Sequence, residues 1–333
     1  MPDSSPFPIQ DSVLSAQAIA DRLLPLYGLT PPYSCQFHRK GICDTYQIRS
    51  TDGGFYMKVY RAGRRSRLDV SEEVRLLNHF LQHGVSVVRP VPRLDGEFVT
   101  ELKAPEGNRC AVLFLAVAGD SEQTDRHRWA FGAEVARMHA TADLLTVPYS
   151  RQHLDMSALI EENMVHIDRL MGHRPGDFEL IRAIADHTGS RVASLLPNTA
   201  PEYGFCHGDL HGGDALYAAD GRPTLLDFDS SGYGWRAVDL GVYLNHDWMN
   251  TSEEAEALRQ EKLSVFLDGY QSVRHLSNDE LTIIQLTPAI RHIFLMGHVL
   301  RHTTVYQGWS WANDSFIDWH MRWFRHWHER GPR

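Results

Sequence analysis

Between Asp11 and Leu24, apolar side chains recur at mostly helical spacing: Val13, Leu14, Ala20, Leu23 and Leu24 follow an Asp/Ser start, and Pro25 closes the stretch. This pattern predicts an amphipathic lead-in helix. The period then shortens to two. "DTYQIRS" (44–50) and "GFYMKVYR" (54–61) read as strands around "TDGG", whose Asp-Gly-Gly can supply the positive backbone angles of a hairpin turn. A helical stripe returns in "DVSEEVRLLNHFLQHG", where Val74, Leu77 and Leu81 align before Gly84. Proline-bounded extended pieces and the apolar strand "RCAVLFLAVAG" follow. After Gly119 the pattern is mainly helical, through "WAFGAEVARMHATA", "MSALIEENMVHIDRLM" and "FELIRAIADHTGSRVASLL", broken by a short strand–loop–strand near 203–229.

This order predicts an α+β protein with a small β-rich lobe over 1–118 and a larger, mainly helical lobe over 119–333. The 333-residue length fits two lobes, and 43% hydrophobic with 23% charged residues is ordinary globular composition. A net charge of −9 argues against general nucleic-acid binding, which relies on clustered Lys and Arg. The start, "MPDSSPFPIQ", lacks a basic region leading into an apolar core. The longest apolar run, "AVLFLAVA" from Ala111, is too short to span a membrane. Four scattered cysteines without a CxxC pair imply neither zinc nor disulfides, so a soluble, cytoplasmic protein is expected. The nineteen histidines sit mostly singly, without the partner spacing of a metal site.

The candidate chemistry lies in "FCHGDLHGGDALY" and the following "RPTLLDFDSSGYG", joined by the turn "ADGRP". A hairpin there would hold Asp209 and Asp227 at one edge. One carboxylate can accept a proton or position a hydroxyl while another holds a divalent ion. Phosphoryl transfer needs little beyond alignment and charge neutralisation.

The order of Lys58 on a strand, Glu73 on the next helix, His207-Gly208-Asp209, position 214 and Asp227 resembles the aminoglycoside phosphotransferase and choline kinase family, near its bacterial stress-response kinase branch. The resemblance runs from about residue 30 to 325, with "GICDTYQI", "AVLFLAVAG", "FGAEVARMH" and "AVDLG" as supporting pieces. It implies a bilobal protein-kinase-like fold using ATP and Mg²⁺ or Mn²⁺ to phosphorylate a small-molecule hydroxyl acceptor. Within it, Lys58 would pair with the α/β-phosphates, held by Glu73 in preference to the adjacent Glu72. Asp209 would orient the acceptor hydroxyl, Asp227 would bind metal, and Asp229 would be a second metal-side carboxylate or a turn residue. His207 would shape the loop, His211 has no assigned role, and Asp239 would brace the loop. No G-x-G-x-x-G is present, so phosphate contacts would come from the backbone near Gly41, Asp44 and Thr45, with adenine read at Leu115 to Val117.

Position 214 departs from the kinase pattern, which carries a metal-binding asparagine there. Asp214 keeps an oxygen ligand but adds charge, and two carboxylates about 5 Å apart at an effective dielectric of about 20 repel by roughly 3 kcal/mol. Hard divalent cations reverse that sign, so an enzyme with strong metal dependence is expected. A nucleotide-binding pseudokinase and a Ser/Thr protein kinase of the stress-response type are the alternatives. Fifteen acidic residues against five basic ones between Glu202 and Glu280 suit a cationic acceptor, whereas six arginines against three acids over 291–333 do not. Arg291 and Arg301 would lie near one helical face, as an anion site or as solvated surface. Trp319, Trp323 and Trp327, four apart, read as a core-packing stripe.

Overall fold

The computed structural model describes residues 7–147, 151–245, 249–302 and 309–332. The chain divides into two compact units. The first runs to Gln82 and resumes over Val87–Val117; the second holds His83–Ser86 and the chain from Ala118 onward. The short excursion at 83–86 follows from its bonds. The Ser86 amide donates to Glu134 (2.6 Å), and the Ser86 carbonyl accepts from the Leu225 amide (2.8 Å).

In the first unit, helix α1 (Ala16–Arg22) begins later than the periodicity predicts. Ser15 caps it by accepting from the Ala18 amide, and Pro25 falls in a 3₁₀ turn, Leu24–Tyr27. Asp11 and Ser12 lie outside the helix and bond to residues far along the chain instead, Asp11 to Arg61 and Ser12 to Glu106. Strands β1 (Ser34–Arg39), β2 (Cys43–Ser50), β3 (Gly53–Tyr60), β4 (Pro90–Val91), β5 (Thr100–Ala104) and β6 (Gly107–Leu115) form one antiparallel sheet. Its order is β1-β2-β3-β6-β4, with β5 also on β6. Ser50 pairs with Gly53 across a two-residue hairpin, and Gly53 has φ 131°. Phe55, Met57 and Val59 face a core shared with Ile19, Leu23, Leu24, Tyr46 and Ile48. Burying each such large side chain contributes about 1.5–3 kcal/mol. The two-residue period puts Lys58 and Tyr60 on the opposite face, towards α2 (Arg67–Gln82).

The second unit contains α3 (Asp125–Ala142), α4 (Glu162–Met171), α5 (Pro175–Leu195), α6 (Arg236–Gly241), α7 (Glu253–Gln271), α8 (Asn278–Arg301) and α9 (Asp314–Arg330). A π-helical turn, Ser157–Glu161, leads into α4. Strands β7 (His153–Leu154), β11 (Gly232–Trp235) and β8 (Tyr203–Cys206) form one small sheet. Strands β9 (Ala215–Tyr217) and β10 (Pro223–Leu225) form the hairpin across "ADGRP". Helix α8 packs against α4, α5 and α6. By length and composition α8 could cross a membrane, which reading uninterrupted apolar runs did not anticipate. Two thirds of its most apolar window (67%) is buried inside the fold, as expected of a core helix. The tryptophan stripe of α9 is split: Trp323 is buried and stacks on the partly buried Trp327 at 5.4 Å, while Trp319 is exposed.

Candidate active site

Two groups of sequence-selected residues are assembled, one within each unit. In the first unit, Lys58 lies on β3 between Thr45 of β2 and Val112 of β6. Its Nζ is 3.9 Å from Glu73 Oε1, and the Tyr60 hydroxyl donates to the same oxygen at 2.9 Å. Glu73 is buried on the face of α2 that carries Val70, Val74 and Leu77, whereas Glu72 turns outward to Arg75 at 2.7 Å. Of the two adjacent glutamates, Glu73 is therefore the one facing the lysine.

Asp44 is fully buried, and its carboxylate is held by Arg61 (2.8 Å) and Arg109 (2.7 Å). Arg61 also donates to the Gly41 carbonyl (2.9 Å) and pairs with Asp11, which in turn meets Lys40 at 3.0 Å. The side chain of Asp44 is thus committed to these ion pairs, and its backbone lies in the β2–β3 ladder opposite Val59. Periodicity passed over Arg61 and Arg109. Their signal was a charged residue at the edge of an apolar strand, in "KVYR" and "NRCAVLFL". At the end of β6 the Leu115 amide donates to the Arg89 carbonyl (3.0 Å) and the Ala116 amide to Gly54 (2.9 Å). Both amides before Val117 are occupied.

In the second unit, β8 delivers "HGD" into a loop braced from below by Asp239 of α6. The carboxylate of Asp239 accepts the His207 and Gly208 amides, each at 2.7 Å. It also meets His139 Nε2 at 3.2 Å, and His139 Nδ1 lies 2.9 Å from the Tyr270 hydroxyl. Burial pushes the His139 pKa down to about 4, more than Asp239 can restore, so the imidazole is neutral. The His207 ring lies 2.7 Å from the Leu226 carbonyl, tying the HGD loop to the strand end before Asp227. Gly208 has φ 82°, and a Cβ there would collide with the Ser230 carbonyl, so glycine is required.

Asp209 is partly exposed and bonded by Arg291 of α8. Asp214 is buried. Its amide donates to the His211 carbonyl (3.0 Å), and its carbonyl accepts from the Leu226 amide (2.9 Å). Burial first, then Asp209 and Asp227, pushes the Asp214 carboxyl up to about 10, so without a cation it carries a proton. Asp227 has a left-handed backbone (φ 60°), which costs a non-glycine residue on the order of 1 kcal/mol, and begins the turn Phe228–Ser230. Asp229 is buried, and its carbonyl accepts from Arg151 at 2.6 Å.

Asp209, His211 and Asp214 each offer a ligand atom, all within 4.8 Å of one another. His211 is not ready to ligate. Its Nδ1 accepts the Gly213 amide (3.1 Å), so in the neutral ring the proton sits on Nε2, which faces Asp214 at 3.4 Å. The Oδ2 of Asp214 is buried and accepts no hydrogen bond. A buried carboxyl oxygen that accepts no hydrogen bond, beside Asp209, Asp227 and Asp229, suits a hard divalent cation.

Residues 35–276 match the profile of a family described as "Phosphotransferase enzyme family". The chain belongs to that family. It is a phosphotransferase with a hydroxyl group as acceptor. An uncharacterized protein of Deinococcus radiodurans is 31% identical over 97% of this chain and 93% of its own length. Among solved structures, an amicoumacin kinase described as a complex with AMP-PNP, Ca²⁺ and Ami superposes with a TM-score of 0.76, at 22% identity over 94% of each chain. A microcompartment-associated aminopropanol kinase superposes at 0.79, with 19% identity over 95% of this chain and 99% of its own. These likenesses show the protein-kinase-like fold expected from the sequence.

Proposed function

We propose that this phosphotransferase uses ATP and a divalent cation, Mg²⁺ or Mn²⁺, to phosphorylate a hydroxyl of a small, amine-bearing acceptor such as an amino alcohol or aminoglycoside-like compound, in the cytoplasm. The observation that carries the metal assignment is the buried, unbonded Oδ2 of Asp214 amid three further carboxylates. Asp214 and Asp227 would hold the cation, with Asp229 beside them. Bound there, the cation would neutralise charge on the triphosphate. The amine is supported by the acidic excess over 202–280 and by the aminopropanol kinase likeness.

Lys58, oriented by Glu73, contacts the nucleotide phosphates. Backbone groups near Gly41, Asp44 and Thr45 contribute further donors, and Val117, with Leu115 beside it, reads the adenine. Asp209 orients the acceptor hydroxyl and accepts its proton as that oxygen bonds to the γ-phosphorus. The bond from the γ-phosphorus to the β–γ bridging oxygen breaks, ADP leaves, and the proton passes from Asp209 to solvent.

The test is a panel of amino alcohols, aminoglycosides and amine-free alcohols incubated with γ-labelled ATP and Mn²⁺, for the native chain and Asp209→Asn. Label in an amine-bearing acceptor, lost by at least ~100-fold in Asp209→Asn, supports the reading. Label only in protein would replace the acceptor class, and no transfer at all would leave a nucleotide-binding regulatory module.

A further inference from the structure

The mechanism above gives Arg291 no role. Arg291 sits in the middle of α8, and its side chain is 10% exposed. Its Nη2 donates to Asp209 Oδ1 and its Nη1 to the Gly208 carbonyl at 3.3 Å. Its Nε is buried and has no hydrogen-bond partner. The guanidinium carbon lies 5.2 Å from the Phe294 ring centre, so the fork is supported from one side. Burying a guanidinium costs several kcal/mol unless it is well paired, and this one is paired only partly. Such an arrangement needs a reason beyond stability.

We propose that Arg291 is the positioning residue for Asp209. By holding Oδ1 and the neighbouring carbonyl together, it fixes the carboxylate's rotation and leaves Oδ2 for the acceptor hydroxyl. It also offsets the local excess of negative charge. Among the groups acting on Asp214, Arg291 opposes Asp209, Asp227 and Asp229. Once a cation holds Asp214 ionised, an asparagine there would need less of that compensation, so Arg291 and Asp214 are coupled in the metal-loaded protein. The proposal rests on the reading of Asp209 as the hydroxyl-orienting group.

Two measurements test it. The first compares kcat and KM for the native chain, Arg291→Gln, Arg291→Lys, Asp214→Asn and the double variant Arg291→Gln/Asp214→Asn. Arg291→Gln should lower kcat roughly 10²-fold with the KM for ATP within about twofold, the pattern of a lost transition-state interaction. Arg291→Lys keeps the charge without the fork and should fall between. In the Asp214→Asn background the Gln substitution should cost at least about fivefold less. Equal costs in both backgrounds, or a loss confined to the KM for ATP, would overturn the proposal.

The second is a thermal-denaturation cycle of Arg291→Gln and Asp209→Asn on the metal-free protein, which needs no turnover. Non-additive Tm changes support the pairing, and additive ones remove it. Where Arg291→Gln does not fold, Arg291→Lys takes its place in both cycles. Loss of phosphotransfer from every chain, the native one included, would count against the proposed function while the thermal cycle still decides the pairing.

Discussion

Asp214 is the residue at which this chain departs from the kinase pattern, and its surroundings define what the departure does. Burial and two neighbouring carboxylates hold its pKa near 10 in the metal-free protein, so a cation entering the site must displace a proton. Protons and metal then compete, and apparent metal affinity rises with pH up to about pH 10. Calorimetric titration with Mn²⁺ between pH 6.5 and 8.5 should show close to tenfold tighter binding per pH unit, with one proton released. Asp214→Asn should flatten that dependence, and an equally steep slope in the variant would remove Asp214 from the ligand set. The same variant separates enzyme from regulatory module. Turnover in the native chain should vanish with chelator and return with Mg²⁺ or Mn²⁺, while Asp214→Asn, which has no proton to displace, should turn over at lower metal concentration near neutral pH.

At the scale of elements, most strands and helices followed from hydrophobic period and Gly/Pro punctuation, because each buries one face. The β2–β3 hairpin, α2 and the β9–β10 hairpin all fall where the pattern places them. The predicted hairpin also made Asp209 and Asp227 selectable, and the family resemblance added Lys58 and Glu73. What could not be read is long-range pairing: Arg61 and Arg109 on Asp44, Arg291 on Asp209, and His139 on Asp239 join residues 17 to 100 positions apart. No local spacing encodes such contacts. The Asp44 clamp yields a prediction. Asp44→Asn leaves two buried guanidiniums undercompensated beneath the Gly41 turn, which should cost about 3 kcal/mol in stability. It should also raise the KM for ATP several-fold while leaving the acceptor's KM unchanged, as steady-state kinetics with each substrate varied would reveal. A second prediction concerns α3 and α7, which cross at Gly132 and Gly269. A methyl on either glycine would land inside the facing helix's backbone, at the Phe266 or Trp129 carbonyl. Gly269→Ala should therefore destabilise by about 1–3 kcal/mol, seen as a Tm several degrees lower.

For the molecule as a whole, stability in mild acid should be governed by histidines that fold neutral. His292 of α8 and His320 of α9 lie 2.6 Å apart, both buried against Trp323 and Phe324 or Phe316. Burial pushes His320 down to about 3 and His292 well below the usual imidazole range, and His139 is held near 4. Each titrates near 6.5 once unfolded. Between those limits the unfolded chain binds protons that the folded chain refuses, so stability rises with pH through this window and is fully present above about 6.5. Each histidine should cost up to about 2 kcal/mol on moving from pH 6.5 to 5. Asp214 acts in the opposite sense, because it binds a proton when folded; saturating Mg²⁺ removes that contribution by holding the carboxylate ionised. Under that condition Tm should fall steadily from pH 7 to pH 5, before carboxylates titrate. His320→Gln keeps a polar partner for His292 but removes one titrating ring, and should reduce the slope by about a third. A Tm that is flat over this range, or a slope unchanged in the variant, would mean that these rings open to water before the fold does.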